Sequence, residues 1–334
     1  MKLKSDSIIE LPKLCAPNLE TLDLSKCGEL VTVHELCAPN LVELILDRCY
    51  ELVTVHESVG SLDRLRFWDL RECVSLQNLP NNLRLKSLEY FGLHGCSKLE
   101  KFPNILHQEM KRLKTLYLSW SGIREVPSSI GYLTQLTRLG LCGCHNLRDL
   151  PDSIYKLQML EYFSFVSAKL RPPCNSFDGL PEYGFPRLRE LRFGGCGNKL
   201  EFLMKPNYFP VLSRLDLSGT DIVSIPESLN RFTTLEILLV SNCLQLRQIS
   251  GLPQFIRLFG ASHCRSLDAQ SSSRVLNQVS LFQVIIKNKK IKQFFFFFFS
   301  FLSKLNSLNL LIICRLEELY VKEKKATYMR IQVG

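Results

Sequence analysis

Leucines recur along this sequence in a fixed group of three, L-x-x-L-x-L, followed three residues later by a small side chain. In one copy the group is Leu136, Leu139 and Leu141, and the small residue is Cys144. The alternation Leu139-x-Leu141 gives a short strand with one buried face, because successive side chains on a strand point to opposite sides. A segment this short cannot bury that face alone. It requires a neighbour of the same kind.

The neighbours are in the chain. The small-residue column runs Cys27, Cys49, Cys73, Cys96, Ser121, Cys144, Ala168, Cys196, Thr220, Cys243 and Cys264, at steps of 21 to 28 residues. A triplet or a variant of it precedes each, including Leu65/Trp68/Leu70, Leu88/Phe91/Leu93 and the degenerate Ile256/Phe259/Ala261. Such a period identifies an array in which each unit packs only against the next. The expected fold class is α/β: a leucine-rich-repeat solenoid, or horseshoe, of about eleven coils. Its parallel sheet lines the concave side, and short helical or 3-10 turns and loops form the convex side. At about 4.8 Å between strands, the sheet runs on the order of 50 Å.

Three details refine this expectation. Cys15–Glu35 and Cys37–Glu57 match at 15 of 21 positions, offset by 22, so one coil has been copied onto the next. An apolar residue and a proline follow the column in most units, as in Leu79-Pro80, Phe102-Pro103, Val126-Pro127 and Leu150-Pro151. Proline has no N–H to donate, so it belongs where the strand ladder has ended, with about one helical or 3-10 turn after it. The 28-residue step around Arg171-Pro172-Pro173-Cys174 reads as a bulged loop.

The solenoid is expected over 1–268 and a linker over 269–286. A low-complexity tail, 287–334, contains unbroken phenylalanine from Phe294 to Phe299. Homopolymer phenylalanine fits neither helical nor strand periodicity. The tail admits three readings: translated non-coding sequence without evolved structure, a membrane anchor over Phe294–Ile313, or a nuclear signal at Lys287–Lys292. Lys304, Asn306 and Asn309 argue against the anchor, since each is expensive in lipid. The expectation is therefore no membrane partner.

The net charge of +10 is concentrated in that tail, where ten Lys/Arg face three Glu; the first 286 residues carry only +3. A near-neutral array offers no basic groove for phosphates, which argues against a nucleic-acid partner. Thirteen cysteines sit in a chain without an apolar leader at its N-terminus and without a single N-x-S/T sequon. Both features fit reduced thiols, with the column cysteines directed inward and donating to backbone carbonyls. No phosphate loop, G-x-S-x-G, H-E-x-x-H or paired C-x-x-C occurs, so no enzyme activity, cofactor or metal is expected. In Cys142-Gly143-Cys144-His145 the two sulfurs alternate to opposite faces, which defeats a metal site.

What the array offers is surface. The positions flanking the inward leucines place Phe67, Asp69, Arg71, Tyr90, His94, Tyr117, Trp120, Arg138, Tyr162, Arg192, Arg214 and Asp216 on the concave side. Aromatic and arginine side chains anchor most protein interfaces. The candidate partner-binding residues are therefore Phe67, Arg71, Tyr90, His94, Tyr117, Trp120, Arg138, Tyr162, Arg192 and Arg214.

Residues 116–154, L-Y-L-S-W-S-G-I-R-E-V-P-S-S-I-G-Y-L-T-Q-L-T-R-L-G-L-C-G-C-H-N-L-R-D-L-P-D-S-I, resemble the repeats of plant nucleotide-binding leucine-rich-repeat disease-resistance proteins. The branch with an N-terminal TIR domain is the most similar, and 215–229 and 252–268 resemble it too; the likeness extends to about residue 280. Extracellular plant receptors differ, with an asparagine column and G-x-I-P exits. The resemblance implies the sensor part of a cytoplasmic or nuclear immune receptor. In that family the repeats recognise a pathogen effector or a guarded host protein and restrain a nucleotide-binding domain. These 334 residues contain neither the TIR nor the nucleotide-binding domain, so the family's nucleotide binding falls on no residue here. The alternatives are a truncated fragment without its own activity, or a generic or membrane-tethered repeat scaffold.

Overall fold

The computed structural model describes residues 8–106, 109–166, 184–194, 206–225, 227–250, 252–268, 270–271 and 284–285. The loop expected around 171–174, column residues Ala168 and Cys196, and the tail from 287 lie outside them.

Each of the eleven triplets carries a strand. We number them β1 (Thr21–Asp23), β2 (Glu43–Ile45), β3 (Phe67–Asp69), β4 (Tyr90–Gly92), β5 (Thr115–Tyr117) and β6 (Arg138–Leu141). There follow β7 (Tyr162–Val166), β8 (Glu190–Gly194), β9 (Arg214–Asp216), β10 (Ile237–Leu239) and β11 (Leu258–Gly260). A further strand, β12 (Val284–Ile285), falls inside the segment that the sequence reads as a linker; it pairs beside Phe259 and Gly260. All twelve form one sheet, ordered as in the chain, and every pair is parallel. The register is the repeat itself: Leu22 lies beside Leu44, Leu44 beside Trp68, and Leu116 beside Leu139.

The copied coils show this most simply. Thr21 pairs with Glu43, Thr32 with Thr54 and Leu14 with Leu36, each 22 residues on. Duplication in sequence has become translation by one coil in space.

Inside, the triplet residues and the exit residues share one continuous core, from Leu11 to Leu267. Where leucine is replaced, the replacements pack together. Trp68 stacks on Phe91 with ring centroids 4.7 Å apart, and Phe163 lies 4.8 Å from Phe165. Trp68, Phe91, Phe163 and Phe165 are fully buried, so these rings substitute for leucine volume and do not protrude.

The thiol column faces inward, as expected. Cys49 Sγ donates to the Leu24 carbonyl of the preceding coil at 3.2 Å, Cys73 to Leu46 at 3.1 Å and Cys96 to Leu70 at 3.2 Å. Cys144 to Leu118, Cys243 to Leu217 and Cys264 to Val240 repeat the contact. Those carbonyls directly follow their own strands, and those of Leu24, Leu46, Leu70, Leu118 and Leu217 already accept the N–H of the column residue of their own coil. The sulfur fills the second lone pair of a buried acceptor.

Just before the column, each coil whose turn is described passes through a left-handed residue. Lys26, Arg48, Glu72, Trp120, Asn242 and His263 have φ between 59° and 67°, and Gly95, Gly143 and Gly219 occupy the same place. A non-glycine residue there costs on the order of 1 kcal/mol. The N–H it turns outward is bonded to the next coil, as Arg48 to the Arg71 carbonyl at 2.8 Å. The convex exits follow the proline rule. Pro127 and Pro151 sit directly before the 3-10 turns Ser128–Tyr132 and Asp152–Lys156, and Val126 and Leu150 beside them are buried.

Candidate functional site

On β3 to β9 the side chains that alternate away from the core form a connected row on the open face of the sheet. Register decides who meets whom. Phe67 pairs with Tyr90, Tyr90 with Thr115, Thr115 with Arg138, Arg138 with Tyr162, Tyr162 with Glu190, and Glu190 with Arg214.

Phe67 stacks on Tyr90 at 4.4 Å, and Tyr90 meets Tyr117 edge-on at 6.1 Å. Arg138 Nε then donates to the Tyr117 hydroxyl at 2.8 Å, while its guanidinium carbon lies 4.5 Å above the centre of the Tyr162 ring. The other side of the row closes on the same ring, with the Arg192 guanidinium 5.8 Å from its centre. Arg192 Nε donates to Glu190 Oε1 at 3.0 Å, and Arg214 Nε approaches the same oxygen at 3.4 Å. Seven of the ten candidate residues thus form one chain of contacts across seven strands: Phe67, Tyr90, Tyr117, Arg138, Tyr162, Arg192 and Arg214.

Two glycines let the rings lie flat. A Cβ on Gly92 would fall 2.9 Å from the Tyr90 ring and hydroxyl, and one on Gly140 would fall 2.9 Å from the Tyr117 ring. Sequence reasoning passed over both residues. Their signal was present: glycine is a poor strand former, and it marks a close approach when it sits inside one.

The remaining three candidates stand apart from that chain. Arg71 is turned onto Asp69, donating from Nη2 to Oδ2 at 2.7 Å and from Nε to Oδ1 at 2.9 Å. That hydrogen-bonded carboxylate raises the Arg71 pKa and covers Asp69, which is only 1 % exposed. His94 lies one strand on, its Nε2 3.6 Å from Glu72 Oε1. Trp120 is not on a strand at all. It is the left-handed turn residue of its coil, one position out of phase with the alternation that places Tyr117 on the open face. Its indole lies over Gly143 of the next coil, where a Cβ would come within 2.5 Å, and it meets His145 edge-on at 5.6 Å. Half of its surface remains exposed, so Trp120 marks the rim beside the row.

Electrostatics separate the two ends of the row. Near β2 and β3 the carboxylates of Asp47 and Asp69 share Arg71, and burial pushes the Asp47 carboxyl up. Burial, helped by Asp69, pushes the Tyr90 phenol up to about 12, so it remains a neutral donor. Toward β6 to β9, three arginines share Glu190 and the Tyr162 ring, and the balance is positive.

Among the described residues no group of three potential metal ligands occurs, and no helix is long and apolar enough to cross a membrane. The open face also pairs the Thr21 hydroxyl with the Glu43 carboxylate at 3.3 Å, outside the row. It is a surface of flat rings and forked cations, suited to holding another chain.

Residues 84–280 match the family described as disease resistance protein RPS4B-like, leucine-rich repeats. The chain belongs to this family. Relatives include the protein SUPPRESSOR OF npr1-1, CONSTITUTIVE 1 of Arabidopsis thaliana, 32% identical over 257 residues, covering 77% of this chain and 14% of that protein. TMV resistance protein N of Nicotiana glutinosa is 38% identical over 167 residues, covering 50% of this chain and 12% of its own. The chain therefore spans less than a fifth of the length of these relatives. Among solved structures, an LRR protein of Leptospira interrogans superposes with a TM-score of 0.52 at 20% identity, covering 81% of this chain and 72% of that one. At that identity the likeness speaks to the fold alone, and the fold is the leucine-rich-repeat solenoid. This member of the RPS4B-like family is the repeat region of a plant disease-resistance-type protein.

Proposed function

We propose that the open face of these repeats is the recognition surface of an intracellular plant immune receptor, contacting a pathogen effector or a guarded host protein. In a full-length receptor the same array would restrain the nucleotide-binding domain, and its compartment would be the cytoplasm or the nucleus. One observation carries the reading: the unbroken contact chain from Phe67 to Arg214. Outside the row, the positions in the same register are Thr21 and Glu43 at one end and Ile237 and Leu258 at the other. Within it, rings and guanidinium groups are held in mutual contact, which lowers the entropy lost when a partner immobilises them. The relatives named for disease resistance support the biological setting.

The test is binding to a captured effector or host protein, measured with the intact chain and with Tyr117→Ala, Arg138→Ala and Tyr162→Ala. Val211, an exposed residue away from the row, serves as control as Val211→Ala. Loss of affinity in the three row variants alone supports the proposal. Equal affinity in all four would remove the row from the interface.

A further inference from the structure

The copied coils bring together a second pair of thiols, separate from the buried column. Cys15 and Cys37 occupy equivalent places in the two copies, and their short strands pair in parallel with Cys15 directly beside Cys37. Such partners lie about 4.8 Å apart at Cα, inside the window that a disulfide spans. Cys15 is exposed, Cys37 is half-buried and both are free. Their thiols are near enough for Cys15 to raise the pKa of Cys37. Cys37 Sγ also donates to Glu35 Oε1 at 3.5 Å, and Glu35 is held by Lys13 Nζ at 2.7 Å.

The column offers an internal contrast. Cys27 and Cys49 are also 22 residues apart on neighbouring coils, but both are completely buried. The proton of Cys49 is committed to the Leu24 carbonyl, and burial pushes its thiol up to about 12. No oxidant reaches those sulfurs. At Cys15 and Cys37 the same spacing occurs on the surface. The contact with Cys15, with burial second, pushes the Cys37 thiol up to about 11. Cys37 therefore keeps its proton at neutral pH, and the more exposed Cys15 meets a dissolved oxidant first.

We infer that Cys15 and Cys37 are a modification site, at which a hydroperoxide converts the pair into a disulfide tying one copied coil to the other. The Cys15 sulfur attacks the peroxide oxygen; an S–O bond forms, the O–O bond breaks, and the leaving oxygen departs protonated as alcohol or water. Cys37 then attacks the Cys15 sulfenic acid. An S–S bond forms, the S–O bond breaks, and the Cys37 proton passes to the departing hydroxyl, which leaves as water. Two thiols and one hydroperoxide become one disulfide, one alcohol or water from the peroxide, and one further water. Glu35 acts as a positioning residue, aiming the Cys37 proton away from the sulfur under attack. The copying event itself created the site, since a single copy of the segment carries one such thiol.

The experiment uses the full reduced chain, hydrogen peroxide as oxidant, blocking with N-ethylmaleimide and tryptic mass spectrometry. The expected product joins the peptide of Leu14–Lys26 to that of Cys27–Arg48 with the loss of two hydrogens, and fragmentation places the bond at Cys37 and not at Cys27. In Cys37→Ser the bridge is lost and dimedone traps a sulfenic acid on Cys15. In Glu35→Gln the dimedone adduct on Cys15 rises while the bridge still forms, more slowly. Recovery of Cys15 and Cys37 as separate maleimide adducts or separate sulfinic acids in the wild-type chain would overturn the inference. So would a bridge from Cys15 to any other cysteine.

Discussion

The inward thiol column and the outward aromatic–arginine row are built on the same coils, a few residues apart, and they follow different rules. In the column the side chain changes little: seven of its described positions are cysteine, with Ser121 and Thr220 as the exceptions. Every one is small and can donate: the six cysteines from Cys49 on reach a carbonyl of the preceding coil, and Thr220 reaches Leu217 of its own. In the row the contacting residues run phenylalanine, tyrosine, tyrosine, arginine, tyrosine, arginine and arginine, and they touch one another across coils. Repetition marks what every coil needs in order to stack. Variation at a solvent-facing position that is nevertheless ordered is what the proposed recognition surface rests on.

The sharpest way to break that comparison is to attack stacking itself. Leu139→Ala empties a fully buried triplet position in the middle of the array and should cost about 2–5 kcal/mol. Urea unfolding of wild type and variant measures it. A loss under 1 kcal/mol would mean that the central coils do not share one continuous core.

Variants in the row should do the reverse. Tyr117→Ala and Arg138→Ala leave stability within about 0.5 kcal/mol while weakening partner binding by about 2 kcal/mol, roughly thirtyfold. Calorimetry and thermal melts on the same samples separate the two effects. If both variants melt early and bind normally, the row is structural and the contrast fails.

The column carries a pH signature that begins lower than that of the row, where burial raises the Tyr90 phenol from 10 to about 12. Burial raises the Cys49 thiol to about 12, and Cys73 and Cys96 move the same way for the same reason. A folded-state pKa above the unfolded one gives stability that is complete below the unfolded value and lost as pH rises toward the folded one. Stability should therefore hold to pH 9, the ordinary thiol value here, and fall between 9 and about 12. The slope approaches about 1.4 kcal/mol per pH unit for each such thiol. Denaturation midpoints from pH 8 to 11 read this directly, and Cys49→Ser should flatten the curve.

Single column deletions should be the mildest. Cys144→Ala removes one sulfur donor to the Leu118 carbonyl, which keeps the N–H of Ser121, and should cost about 1 kcal/mol. Cys144→Thr should recover part of it, since the Thr220 hydroxyl at the same column position finds a carbonyl, that of Leu217 in its own coil. Recovery is read from the same thermal melts.

The sequence sufficed for everything that depends on period. The eleven strands fall on the eleven triplets, the proline exits lead into the 3-10 turns, and the column sulfurs face the carbonyls of the coil before. These features follow from local repetition, because each coil meets the next at a fixed residue offset. Contacts that skip along the open face were beyond it. Nothing in the order of residues told that Tyr117 leans over Gly140 to reach Arg138, that Arg71 folds back onto Asp69 and leaves the row, or that Trp120 has slipped out of phase into a left-handed turn. A side chain with several rotatable bonds on an open surface takes its direction from neighbours one coil away. Val284–Ile285, by contrast, was legible too: it lies on a degenerate triplet, Leu281/Val284/Ile286, and Val284 pairs with Phe259 at the middle triplet position. Periodicity fixed the stack, and contact between coils chose which side chains would act together.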